Sequence, residues 1–211
     1  MNWRRMGFDG IMGAKNGAER HDLQAKEGKQ MTDVEVRETR LTLPAYREPP
    51  YEKLPMFAEN RVHQRSSGNP YPNPVVVCVD RAHREEKTYR CLVLENAYLR
   101  LEILPELGGR IYSALDKSTG YDFFYKQHAI KPALIGMLGS WISGGVEFNW
   151  PCHHRPSTFM PVDDCIEREE NGAVTVWLSE HEPLNRMKGM VGIRLRWRRL
   201  LRFVSSDGSQ T

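Results

Sequence analysis

Tyr98-Leu99-Arg100-Leu101-Glu102-Ile103-Leu104-Pro105-Glu106-Leu107-Gly108-Gly109-Arg110-Ile111 decides the fold class. Leu99, Leu101 and Ile103 alternate with Arg100 and Glu102, which is the period of a half-buried strand rather than of a helix. Pro105 cannot donate to a ladder and ends that strand, and Gly108-Gly109 turns the chain into a second run, Arg110 to Leu115. The same punctuation recurs outward. Asp116 to Gly120 is a turn before the aromatic strand Phe123-Phe124-Tyr125, and Tyr89 to Leu94 and Val75 to Val79 are apolar runs upstream. Asn171-Gly172 separates Cys165–Arg168 from Val174–Ser179, a hairpin signal. Val34, Val36, Leu41 and Leu43 mark an entry strand, and Ile130 to Leu138 has room for one or two helical turns. The expected fold is all-β, an antiparallel sandwich.

The ends differ from this middle. Residues 1–30 carry glycines and charges without apolar periodicity and read as a disordered or mis-annotated extension. Pro44, Pro49, Pro50, Pro55, Pro70, Pro72 and Pro74 read as extended connector around a loop over residues 60–69. Residues 31–193 form the sandwich domain, and residues 194–211 form an atypical basic tail around Trp197, which reads as a last strand that is cut short or runs out of frame. A phosphate-binding patch is the other reading of these arginines.

Composition narrows the function classes. The chain has 211 residues, 40% hydrophobic and 27% charged, with a net charge of +3, too small to argue for nucleic acid. No apolar run is long enough for a membrane-spanning helix, and the N-terminus lacks the apolar segment of a secretory signal. Cys78, Cys91, Cys152 and Cys165 form no CxxC pair, so reduced thiols and a cytoplasmic location are expected, with a Cys78–Cys91 bridge between neighbouring strands as the alternative.

The densest chemistry lies in Trp141-Ile142-Ser143-Gly144-Gly145-Val146-Glu147-Phe148-Asn149-Trp150-Pro151-Cys152-His153-His154-Arg155-Pro156. In an extended chain Glu147 and Asn149 share one face, while Val146, Phe148 and Trp150 share the other. A carboxylate beside an amide, with Trp141, His153, His154 and Arg155 following, makes a donor-rich cup suited to a sugar. Aromatic rings cover its C–H face while carboxylate, amide and guanidinium groups take its hydroxyls. The plain alternative is an ordinary strand with a solvated face. Adjacent imidazoles on an extended chain diverge, so only one of His153 and His154 faces a given site. Cys152, His153, His154, Asp163, Asp164 and Cys165 are metal-ligand types, but their spacing follows no zinc pattern, and no metal or other cofactor is expected. Gly108-Gly109-Arg110 lacks the context of a phosphate loop and reads as a turn whose Arg110 projects toward a ligand.

Leu104 to Ile111, Ile130 to Leu134, Trp141 to Pro151, His153 to Pro156 and Thr158 to Asp163, taken in that order, closely resemble domain-of-unknown-function family 5107, over roughly Leu43 to Ile193. That family resembles the galactose mutarotase-like sandwiches, and its members often carry tetratricopeptide repeats further along. The resemblance implies a large two-layer β-sandwich and carbohydrate handling. It also implies an incomplete supersandwich, because the mutarotase base glutamate comes late in the chain and the resemblance stops near Ile193; the mutarotase histidine motif is not reproduced here. The expected chemistry is acid–base work at an anomeric centre, epimerase-like or glycosidase-like, with Glu147 and His153 or His154 carrying protons. Arg110 and Arg155 then hold oxygens, Trp141 or Trp150 packs on the ring, Asn149 binds hydroxyls, and Asp163 is the local candidate for a second carboxylate. The alternative is a non-catalytic sugar- or protein-binding module within a larger repeat-containing protein. The expected partner is a carbohydrate, with neither nucleic acid nor membrane involved, and with self-association through exposed sheet edges.

Overall fold

A computed structural model describes residues 34–47, 80–134, 140–150, 155, 157–182, 186–197 and 201–205. The extension over 1–30, the connector prolines from Pro49 to Pro74, the loop over 60–69, the run Val75 to Val79, Cys78 and Cys152 lie outside the described residues. Among the described residues the protein is all-β and antiparallel, its helical content being one 3₁₀ turn, Pro105–Leu107. No described helix is long and apolar enough to cross a membrane.

Strands β1 (Glu35–Arg47), β2 (Asp80–Glu95), β3 (Leu99–Leu104), β4 (Arg110–Asp116) and β5 (Tyr121–Asp122) form a five-stranded meander in chain order. A short pair follows, β6 (Ala133–Leu134) with β7 (Ser140–Trp141). Strands β8 (Asp163–Arg168), β9 (Val174–Glu182), β10 (Met187–Leu195) and β11 (Leu201–Ser205) form the second sheet, again with chain neighbours paired. Leu92, Leu94, Leu101, Ile103 and Ile111 from the first sheet meet Val174, Val176, Leu178, Val191, Ile193 and Leu195 from the second in one core. That contact makes the sandwich.

The opposite face of the first sheet is also covered. Tyr89, Cys91 and Val93 of β2 pack with Leu104, Leu107, Ile130, Ile142 and Phe159. Burial on both faces is the reason Tyr89 to Leu94 reads as a nearly unbroken apolar run, where the one-sided β3 alternates. Cys91 and Cys165 are free thiols, and the burial of Cys91 pushes its thiol up to about 11, so it behaves as a small apolar side chain.

Three expectations change. Pro44 does not begin the connector but sits inside β1, an edge strand, where a missing N–H is tolerated. Its carbonyl accepts the N–H of Ile130 at 2.8 Å, and the Tyr46 N–H returns a bond to the Ile130 carbonyl at 2.9 Å. Ala133 and Leu134 are strand rather than helix, because they pair with Trp141 and Ser140. In the basic tail, which reads as a last strand, Arg194 lies in β10 opposite Arg202 of β11 and pairs with Glu169. The strand expected at Phe123-Phe124-Tyr125 lies instead at Tyr121–Asp122, and Phe123 and Phe124 bend away from it.

Asp122 ends that strand. Its carboxylate accepts the N–H of Ala114 at 3.1 Å and of Phe124 at 3.2 Å, together with the Ser113 hydroxyl at 2.6 Å, and lies 2.6 Å from the Lys126 ammonium. Burial by itself raises the carboxyl, but the Lys126, Ser113 and backbone bonds outweigh it and hold Asp122 near about 2, against an ordinary 3.8. A depressed folded value stabilises fully above the unfolded value and is lost as pH falls through the folded one. Asp122→Asn is therefore expected to cost about 1 kcal/mol at neutral pH, allowing for solvent screening. In urea titrations across pH, that difference from wild type should shrink between pH 3.8 and about 2. A pH-independent difference would contradict the electrostatic origin.

Candidate functional site

The turn after β3 is built from two left-handed glycines, Gly108 at φ +72° and Gly109 at φ +69°. A side chain at 108 has no room, since a Cβ there stands 2.1 Å from the Thr158 carbonyl oxygen. The segment holding Thr158 is locked onto this turn. The Gly108 N–H donates to the Met160 carbonyl at 2.7 Å, and the Val162 N–H donates to Pro105 at 3.0 Å. The loop before it docks in the same way. Gly145, at φ +69°, approaches the Ile111 carbonyl closely, and Val146 exchanges two backbone bonds with Ile111. Three motifs far apart in sequence thus converge on one place.

Arg155 is at their centre and fully buried, at 0% exposure. Its backbone N–H donates to Asn149 Oδ1 at 2.9 Å, and its Nη2 donates to the Gly108 carbonyl at 2.7 Å. Its guanidinium lies 4.1 Å over the Trp150 ring. Trp150 in turn fills the space left by Gly189 on β10, where a Cβ would stand 1.9 Å from the indole. Across the ladder from Gly189 is Glu180, whose Oε1 lies 3.3 Å from Arg155 Nε, an ion-pair distance without the alignment of a hydrogen bond. Glu180 also accepts the Ser157 hydroxyl at 2.7 and 2.6 Å.

Glu147 is half-buried beside this pair. Its carboxylate accepts the Thr158 hydroxyl at 3.0 Å and the Asn149 amide at 3.2 Å. The alternation expected over residues 146–150 holds, since Val146, Phe148 and Trp150 pack against the inter-sheet core and Glu147 and Asn149 bond to each other. Burial pushes the Arg110 guanidinium down to about 10; the Glu147 charge opposes that fall and Arg155 adds to it. Burial likewise lowers Arg155, against the opposing pull of Glu180 and Glu147.

Arg110 is spent inward. Its Nη1 donates to the carbonyls of Ile142 at 2.8 Å and Gly144 at 2.7 Å, and its Nε donates to Leu107 at 3.3 Å. Arg110 and Arg155 therefore hold backbone in place rather than stand on a surface. Several buried donors nonetheless lack acceptors among the described residues: Arg110 Nη2, Arg155 Nη1 and Nε, and Trp150 Nε1. A buried donor without an acceptor costs free energy.

The other expected residues are distributed unevenly. Asn149 is exposed at the rim. Asp163, also exposed, lines a cleft of about 260 Å³ with Ser157, Ser179, Glu180 and His181. Trp141 instead lines a separate cavity that shares no lining residue with the Arg155 cluster. His153 and His154 lie outside the described residues. No group of three or more His, Cys, Asp or Glu side chains among the described residues is placed to hold a metal.

Glu180 was missed in sequence, although a signal existed. The inward row of β9 runs Val174, Val176, Leu178 and then Glu180 and Glu182, so the parity that builds the core continues into two carboxylates.

A family model described as "Domain of unknown function (DUF5107)" matches residues 70–199, a span that includes every residue of the Arg155 cluster. Among solved structures, a TPR-domain containing protein from Parabacteroides distasonis ATCC 8503 is similar, with a TM-score of 0.68 and 25% sequence identity. The match covers 78% of this chain, which spans 27% of the length of that protein.

Proposed function

The chain belongs to the DUF5107 family, and from that premise we propose that its sandwich carries a carbohydrate site at the mouth of the inter-sheet core, between Glu147, Asn149 and Glu180. One observation carries this reading. The Glu147 and Glu180 carboxylate acceptors and the exposed Asn149 amide donor gather where three glycine-shaped segments meet. Sugar hydroxyls are donors and acceptors at once and answer both halves of that set. Arg110 and Arg155 act as positioning residues, fixing the Gly108 turn and the Glu147 loop. Glu147 is the proton carrier at the anomeric hydroxyl, and one of His153 and His154, next to Arg155 in the chain, is its acid partner, a glutamate–histidine division of labour of the mutarotase kind carried by a different local motif. For glycoside cleavage, Glu180 or Asp163 supplies the second carboxylate.

A second reading is a non-catalytic binding module within a longer protein. Glu147→Gln separates the two. For a catalyst, anomer exchange of aldohexoses followed by NMR should fall by about 10²–10⁴-fold while sugar binding persists. Unchanged exchange together with unchanged binding removes Glu147 from either role.

A further inference from the structure

On the outer face of the first sheet a cavity of about 460 Å³ is lined by Tyr46, Arg84, Gln127, His128, Lys131 and Trp141, together with Ala129 and Ser143. That volume is within the range of small-molecule sites, about 300–1,000 Å³. Its walls follow from the fold. Tyr46 and Arg84 are cross-strand partners near the end of the β1–β2 pair. The bridge from Ala45 to Ile130 brings His128 and Lys131 alongside, and the pairing of Ala133 with Trp141 adds the indole. Gln127 Nε2 donates to Ser143 Oγ at 3.2 Å, tying the loop to the far wall.

The charge here is one-sided. Arg84 and Lys131 both lie over the Tyr46 ring, at 5.9 and 5.5 Å from its centroid, and neither pairs with a carboxylate among the described residues. His128 is exposed at the same wall, and no carboxylate is among the lining residues. Two aromatic rings, an amide and a hydroxyl set between cations suit a ring with hydroxyls and one negative group, because Arg and Lys take the anion while the rings cover C–H faces.

We propose that this cavity binds a sugar carrying a single anionic substituent, a carboxylate or a phosphoryl group, at a site distinct from the Glu147 cluster. The test is equilibrium dialysis of the full chain at low salt against glucuronate, glucose 6-phosphate, glucose and inorganic phosphate. At least one acidic sugar should bind about tenfold tighter than glucose, with the preference shrinking near 0.15 M salt. Whichever of the two binds tighter identifies the anion. Arg84→Gln/Lys131→Gln should remove the preference with an unchanged circular dichroism spectrum, Trp141→Ala should weaken all three sugars, and Glu147→Gln should leave the preference intact. Equal binding of glucose and both acidic sugars overturns the proposal, as does binding of none of them. A preference that survives the Arg84/Lys131 change, or is lost in Glu147→Gln, overturns it as well. Inorganic phosphate binding as tightly as glucose 6-phosphate would remove any role for the sugar ring.

Discussion

Gly108→Ala is expected to lower the unfolding free energy by at least about 3 kcal/mol, combining left-handed backbone strain with overpacking. The two terms separate by comparison. Gly120 has nearly the same conformation, φ +73° against +72°, but a Cβ there meets nothing within 4 Å, whereas at 108 it meets the Thr158 carbonyl oxygen at 2.1 Å. Gly120→Ala should therefore cost only the conformational strain, about 1–2 kcal/mol. The excess at 108 measures how rigidly the segment around Thr158 is held. That segment has little freedom to retreat, because Met160 and Val162 are bonded to the same turn. Urea denaturation of both variants with the slope held constant decides the matter. Equal losses would mean that the Thr158 segment yields easily and that Gly108 is there for its torsion alone.

Such close approaches are the part of the site that the sequence conceals. Local chemistry was legible wherever a period or a turn residue spoke for itself: the alternation of Leu99, Leu101 and Ile103, the Asn171-Gly172 hairpin, and the shared face of Glu147 and Asn149. Each depends on neighbours a few residues away. The end of β5 was not legible, because Asp122 stops it by capturing the amides of Ala114 and Phe124, the first of them from another strand. Pro44 misled for the related reason that its effect depends on which edge of the sheet it occupies. Arg110 read as a ligand-facing group because strand parity says which side it takes, but not that Ile142 and Gly144 carbonyls wait there. Arg155 and Glu180 are the extreme case, since their pairing needs the sandwich closed first.

Arg155→Met should cost about 3–5 kcal/mol, the usual penalty for removing one member of a buried ion pair. The side chain is 0% exposed and that of Glu180 10%, so little water can replace the lost charge. The thioether fills similar space over Trp150 but leaves the Gly108 carbonyl without its donor and Glu180 facing Ser157 alone. Removing the second charge should then help rather than harm. In Arg155→Met/Glu180→Leu no buried carboxylate remains unpaired, so the double variant should be more stable than Arg155→Met, short of wild type by about 1–2 kcal/mol for the orphaned Gly108 carbonyl and Ser157 hydroxyl. A double-mutant cycle in urea should accordingly show a coupling of at least about 1–4 kcal/mol, to which the cost of Glu180→Leu alone adds. Additive losses would mean that the two residues act separately, Arg155 as a brace for the Gly108 turn and Glu180 as an acceptor for Ser157. A strong coupling would mean that the charge pair itself joins the second sheet to the turn, so that any ligand group reaching Glu180 also acts on the segment that carries Glu147.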